Sequence, residues 1–167
     1  METKIKGRVW KYGDDVNTDV IFPGKYTYSI FDRQEMAEHA LEDLDPNFVN
    51  NVRPGDIIVA GKNWGCGSSR EQAVICLKEA GVGAIVARSF ARIYFRNCIN
   101  EGLPIVTCDA VDSLETGDEI IIDFGTGQVS TPGGEYSFPP LAPSVMDILD
   151  DGGLVPHVRR KLGLVSA

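Results

Sequence analysis

Asp56-Ile-Ile-Val-Ala60, Glu71 to Ala80, Ala84-Ile-Val-Ala87, Phe90 to Asn100 and Pro104-Ile-Val-Thr107 follow one another within about fifty residues of a 167-residue chain. The three short apolar runs have the length and the Val/Ile content of strands buried on both faces. Between the first two, Ala73, Val74, Leu77 and Ala80 recur at helical spacing, and Gly81-Val-Gly83 closes that segment. The second helical segment stops at Gly102. Strand, helix, strand, helix, strand implies two crossover connections and a small parallel sheet.

The first connection is the densest in polar chemistry: Gly61-Lys-Asn-Trp-Gly-Cys-Gly-Ser-Ser-Arg70. A glycine-rich turn from a buried strand into a helix favours anions, because the first N–H groups of a helix are unpaired and its dipole is positive there. Arg70, expected about one residue inside the helix, adds a guanidinium able to grip a carboxylate with two prongs. Ser68 followed by Glu71 is also a Ser-x-x-Glu capping box, so a plain helix start remains a rival reading. Two adjacent serines and an arginine are more than a cap requires. Nucleotide motifs do not fit: no Lys-Ser/Thr follows the last glycine, and Arg70 stands where a dinucleotide fingerprint has its third glycine.

Outward from this centre, Ile5 to Trp10 is a strand candidate, and Asp32 with Glu35 marks a helix start running to about Leu41. On the other side, Asp118–Asp123 and Gly127–Thr131 read as a hairpin, with Tyr136–Phe138 as a further strand. Ser144–Asp150 and Leu154–Leu162 read as closing helices split by Gly152-Gly153. No linker interrupts the pattern, so one α/β domain over 1–167 is expected: a small parallel-containing β-sheet or barrel flanked by helices.

The composition, 43% hydrophobic and 24% charged, suits a globular domain, while the net charge of −8 argues against nucleic acid and anionic membranes. No apolar run approaches the ~20 residues that span a bilayer. The first residues carry no apolar signal segment, so a cytoplasmic location is expected. Cys66, Cys76, Cys98 and Cys108 form no Cys-x-x-Cys pair, and the chain is expected to hold no metal. His39 and His157 each stand alone, and a packing or surface role is expected of both. Arg92 and Arg96, one helical turn apart, face either a partner or solvent.

Gly61 to Ala73 resembles the signature of the swivelling domain of the aconitase superfamily. Gly7-Arg-Val-Trp-Lys-Tyr-Gly-Asp-Asp-Val-Asn-Thr-Asp19, Asn51-Val-Arg-Pro-Gly-Asp56 and Arg88-Ser-Phe-Ala-Arg-Ile-Tyr-Phe-Arg-Asn97 agree with it in order, and the similarity runs from about Lys6 to Gly163. In length and layout the chain is similar to the stand-alone small-subunit family of 3-isopropylmalate dehydratase. The resemblance implies a hydro-lyase subunit, inactive without its partner. A separate large subunit carries a [4Fe-4S] cluster, one iron of which is a Lewis acid towards the substrate hydroxyl and carboxylate. Together they form a heterodimer or heterotetramer acting on a small hydroxy di- or tricarboxylate.

By motif, Ser68 corresponds to the serine that removes a proton as alkoxide, Ser69 and Arg70 to ligands of the substrate carboxylate, and Thr18 and Asp19 to a pair beside the site. A turn cap is the rival role for Asp19. Cys66 has no base beside it in sequence and is expected to be inert. The family's specificity loop corresponds to Tyr26, Thr27, Tyr28, Ser29 and Ile30. Many isopropylmalate enzymes have Leu-Arg after that tyrosine; here it is Thr27-Tyr28. The loop from Tyr26 to Asp32 is expected to be mobile in the isolated chain. Homoaconitase and dimethylmalate- or methylmalate-type dehydratases share the reaction class. A non-enzymatic carboxylate-binding module is the reading of a different class.

Overall fold

A computed structural model describes residues 1–164; the boundary expected at 167 lies outside the described residues. In chain order the elements are β1 (Lys4–Lys11), α1 (Thr18–Ile21), a 3-10 turn (Gly24–Tyr26), α2 (Arg33–Ala37), α3 (Phe48–Asn51), β2 (Ile57–Ala60), α4 (Gln72–Glu79), β3 (Ala84–Ala87), α5 (Arg92–Glu101), β4 (Ile105–Thr107), a second 3-10 turn (Asp109–Ser113), β5 (Glu119–Asp123), β6 (Gln128–Thr131), β7 (Gly134–Ser137), α6 (Pro143–Asp150) and α7 (Leu154–Lys161).

The strands form one seven-stranded mixed sheet in the order β4-β3-β2-β1-β5-β6-β7. The half from β4 to β1 is parallel, with Val9 opposite Ile57, Ile58 opposite Ile85 and Ile85 opposite Ile105. The half from β1 to β7 is antiparallel, with Gly7 opposite Ile120 and Val129 opposite Tyr136. The parallel-containing α/β sheet expected from the sequence is therefore present, and β1 adds a fourth parallel strand to the three read from the central stretch.

The two halves bury their faces differently. Ile58 and Ile85 point into one core with Trp10, Phe48, Trp64 and Tyr94, whereas Ile57, Val59, Ala84 and Val86 point into a second core with Leu114, Phe124 and Phe138. Both faces being covered explains why β2 and β3 read as unbroken apolar runs. In β5 only one face is covered: Ile120 and Ile122 are buried while Glu119 and Ile121 are exposed, the period-two pattern of a half-solvated strand.

Two local expectations need correction. The helix begun by Asp32 ends at Ala37, not near Leu41. The Asp32 side chain does accept from the Glu35 amide at 3.0 Å, but Leu41 takes φ +57° and donates its own amide to the Ile21 carbonyl at 2.8 Å, so the chain leaves the helix to fasten α1. The capping box at Ser68 does not form. The N-cap of α4 is Glu71, without a side-chain cap, and Arg70 precedes the helix.

Candidate active site

The parallel strands β1, β2 and β3 run side by side, and the segments leaving their C-terminal ends lie together. Gly65 donates to the Val16 carbonyl at 2.8 Å, Thr18 to the Cys66 carbonyl at 2.9 Å, Trp64 to the Ser89 carbonyl at 3.1 Å and Ala91 to the Trp64 carbonyl at 2.9 Å. The glycine-rich loop thus runs between the segments that follow β1 and β3, with isolated bridges Asn17 to Cys66 and Trp64 to Phe90. A crevice beyond the carboxyl ends of parallel strands is the usual ligand site of an open α/β sheet.

Gly65 has a reason to be glycine. Its φ is +83°, and a Cβ there would overlap the ring of Tyr94. Tyr94 is 2% exposed and donates its hydroxyl to the Ala73 carbonyl at 2.8 Å, pinning α5 to the start of α4. A cleft of about 260 Å³ opens here, lined by Thr18, Gly67, Ser69, Arg70, Arg92 and Asn97 among others.

The Ser68 hydroxyl is exposed, and no hydrogen bond to it is found among the described residues. Its backbone carbonyl, however, accepts from the Thr18 hydroxyl at 2.7 Å, and Thr18 is 2% exposed. Ser69 is exposed beside Asn97, whose Nδ2 stands 3.5 Å from its Oγ.

Arg70 is nearly enclosed, with 11% of its side chain exposed. Its Nη2 donates to Asp19 Oδ1 at 2.5 Å and to the Phe22 carbonyl at 3.2 Å, and its Nη1 donates to Thr27 Oγ1 at 2.7 Å. Its Nε is buried and has no hydrogen-bond partner among the described residues. The guanidinium lies against the loop, so the two-pronged grip expected of it requires one of these partners to yield. Asp19 is the accessible one, with 68% of its side chain exposed. Asn17, rather than Asp19, caps α1, its Oδ1 accepting from the amides of Asp19 and Val20.

The segment expected to be mobile is a hydrogen-bonded turn. Thr27 donates to the Gly24 carbonyl, and Ser29 and Ile30 donate to that of Tyr26. Tyr26 packs 4.2 Å from the His39 ring, and its hydroxyl lies 3.4 Å from Glu42. Ile30 is buried in the core, so of the five loop residues it turns inward, while Tyr28 is 90% exposed and the following Phe31 is 74% exposed.

The helix end at the cleft is that of α5. Ala91, Arg92, Ile93 and Tyr94 line it, and no side chain caps the helix. Among the described residues the first amides of α5 have no backbone partner, whereas Ala73 and Val74 at the start of α4 donate to the Arg70 and Glu71 carbonyls at 3.3 and 2.9 Å. Arg92 and Asn97 were not singled out as site residues in the sequence. The signal was available, because Arg88–Asn97 follows β3 as Gly61–Arg70 follows β2.

Among the described residues no group of three or more His, Cys, Asp or Glu is placed to hold a metal ion. Cys66 is half-buried, and burial pushes the Cys76, Cys98 and Cys108 thiols up, away from thiolate chemistry. His39 and His157 are engaged by Glu42 at 3.1 Å and Asp151 at 2.6 Å.

A mixed sheet with a Ser-Ser-Arg loop at the ends of its parallel strands puts the chain in the α/β class. Residues 18–110 match the Aconitase C-terminal domain family, more than half of the chain, and the protein belongs to that family. The 3-isopropylmalate dehydratase small subunit 2 of Archaeoglobus fulgidus is 50% identical over 159 residues, covering 94% of this chain and 96% of that one. The methanogen homoaconitase small subunit of Methanothermobacter thermautotrophicus is 53% identical over 159 residues, covering 94% and 92%. The crystal structure of 3-isopropylmalate dehydratase from Methanocaldococcus jannaschii superposes with a TM-score of 0.91 at 41% identity, covering 96% of each chain. No helix among the described residues is long and apolar enough to cross a membrane.

Proposed function

We propose that the whole chain, as one domain, is the small subunit of a two-chain hydro-lyase that isomerises 2-isopropylmalate to 3-isopropylmalate by dehydration and rehydration, a step of leucine biosynthesis. The observation that carries this is the Ser68-Ser69-Arg70 run at the carboxyl ends of the parallel strands, in which the Ser68 hydroxyl is exposed and makes no hydrogen bond among the described residues. Ser68 takes the proton next to a carboxylate. A serine is a poor base in water, so its alkoxide needs electrostatic support from positive charge at the site. Ser69, Arg70 and, through the loop backbone, Thr18 hold and orient the carboxylate, while Asp19 keeps Arg70 in place until substrate arrives.

The [4Fe-4S] cluster of the family, a Lewis acid for the leaving hydroxyl, finds no ligand set among this chain's described residues; it is assigned to a large subunit. Ser68 and Ser69 are both exposed, which supports the reading that this chain is inactive alone and completes an active site in a heterodimer or heterotetramer. Buried free thiols suit a reducing compartment, here taken as the cytoplasm.

The relatives carry two substrate names, so the loop decides between them. Tyr28 and Phe31 are the large exposed side chains of the loop, and no Arg or Lys lies between Tyr26 and Phe31. The neighbouring Lys25 is 3.8 Å from Glu42 and lies over the Tyr26 ring. An apolar branch suits this surface better than the third carboxylate of a homoaconitase substrate, which would be desolvated there without a cation. Alkylmalates with smaller branches are the second reading, favoured by the same apolar surface. Anaerobic reconstitution with a cluster-bearing large subunit, assayed over isopropylmalate, dimethylmalate, methylmalate and homocitrate, separates them. Isopropylmalate is expected to turn over fastest. No turnover of any of these acids contradicts the hydro-lyase reading and leaves a carboxylate-binding module.

A further inference from the structure

Thr27 stands where the specificity loop meets the carboxylate-binding loop, and two of its three polar groups are held from that side. Its hydroxyl accepts from Arg70 Nη1 at 2.7 Å, and its backbone carbonyl accepts from Gln72 Nε2 at 3.0 Å. Arg70 and Gln72 are two residues apart, one on each side of the start of α4, so they close on Thr27 as a two-point clamp. The same guanidinium is bonded to the Phe22 carbonyl, and a Cβ on Gly24 would lie 3.1 Å from Asp19 Oδ1 and 3.7 Å from Arg70 Nη1. The chain from Asp19 to Thr27 thus wraps the guanidinium, and Thr27 is the last residue before the exposed Tyr28.

We infer that Thr27 is a positioning residue that couples the substrate-sorting loop to Arg70: the hydroxyl fixes the direction of the guanidinium, and a shift of Tyr28 on a substrate branch is passed to Arg70 through one residue. This rests on the reading of Arg70 as a carboxylate ligand. The chemistry favours the coupling because Nη2 takes part in both forks of a guanidinium and has both hydrogens spent, on Asp19 and Phe22. When a substrate carboxylate displaces Asp19, the Thr27 and Phe22 bonds are what keep the fork aimed.

Thr27→Val keeps the shape of the side chain and removes the acceptor; Thr27→Ser keeps the hydroxyl. In the reconstituted complex, Thr27→Val is expected to raise KM for the best substrate about tenfold, the loss of one hydrogen bond to a charged group, with a smaller change in kcat. In the isolated chain, hydrogen exchange at the Thr27, Ser29 and Ile30 amides is expected to speed up several-fold. Thr27→Ser is expected to restore both. Wild-type KM and exchange in Thr27→Val overturns the inference, as does an equal loss in Thr27→Ser, which would make the methyl group the cause. A wild-type complex inactive on every acid overturns the proposed function instead, and the exchange readout then still decides whether the clamp holds the loop.

Discussion

The hydroxyl of Thr18 donates to the backbone carbonyl of Ser68 at 2.7 Å, from a side chain that is almost fully buried. The bond fixes the peptide that carries Ser68, whose hydroxyl makes no hydrogen bond among the described residues. Thr18→Val, close in shape, leaves that carbonyl without its donor. Stability is expected to fall by about 1–2 kcal/mol, or roughly 2–8 °C in Tm for a chain of this size. Turnover in the reconstituted complex is expected to fall further than the folded fraction does, because Ser68 is then less well aimed. Thr18→Ser should retain both; thermal melts and initial rates on the same preparations check this.

Gly65 tolerates no side chain. Its positive φ and the Tyr94 ring behind it oppose a Cβ independently. Gly65→Ala is expected to cost at least about 3 kcal/mol, combining left-handed strain with overpacking. Gly67 also has positive φ, but the nearest atom to a Cβ there is 3.6 Å away. Gly67→Ala should therefore lose only the backbone share. Urea midpoints of the two variants give the comparison, and equal losses would show that the Tyr94 contact is not what fixes Gly65.

Asp56 supplies a pH dependence. Burial by itself would raise its carboxyl. Hydrogen bonds from Arg8 and Trp10, both at 2.8 Å, and from the Arg53 amide at 2.9 Å outweigh burial and hold it below the usual carboxylate range. A folded-state value below the unfolded one means that its contribution is present above the unfolded carboxylate value of about 4 and is lost as pH falls through the folded value. Unfolding free energy measured from pH 7 down to pH 3 should drop more steeply in the wild type than in Asp56→Asn, which should be less stable at pH 7 and nearly insensitive to this group.

Arg70→Lys tests the planar fork. Lysine keeps the charge but cannot hold Asp19, Phe22 and Thr27 together while presenting two parallel donors. KM for a dicarboxylate is expected to rise about tenfold or more, with Tm lowered slightly, since the Asp19 partner is exposed and screened. An unchanged KM would remove Arg70 from the carboxylate site.

The central αβ alternation was legible because β2 and β3 are buried on both faces and so lack any polar interruption. α1 and α3 were not, being four residues each, too short for periodicity; α1 is capped by Asn17, and α3 has no side-chain cap. The Gly65–Arg70 loop stood out by composition as a candidate site, but local spacing misplaced its conformation. Ser68 looked like a cap and Arg70 like a helical residue, whereas the helix starts two residues beyond Arg70. Local spacing could not reveal that Arg70 would turn towards residues 19–27, nor that the open helix end at the cleft belongs to α5. Both follow from which strands lie side by side.

The most direct test is turnover by the reconstituted two-chain complex with Ser68→Ala, followed as interconversion of 2- and 3-isopropylmalate by NMR. Because the Ser68 hydroxyl makes no hydrogen bond among the described residues, Ser68→Ala should melt like the wild type and co-elute with the large subunit. Turnover should nevertheless fall about 10²–10⁴-fold, the range of a lost general base. Unchanged turnover in an intact complex would contradict the assignment of Ser68 and, with it, the account of the site.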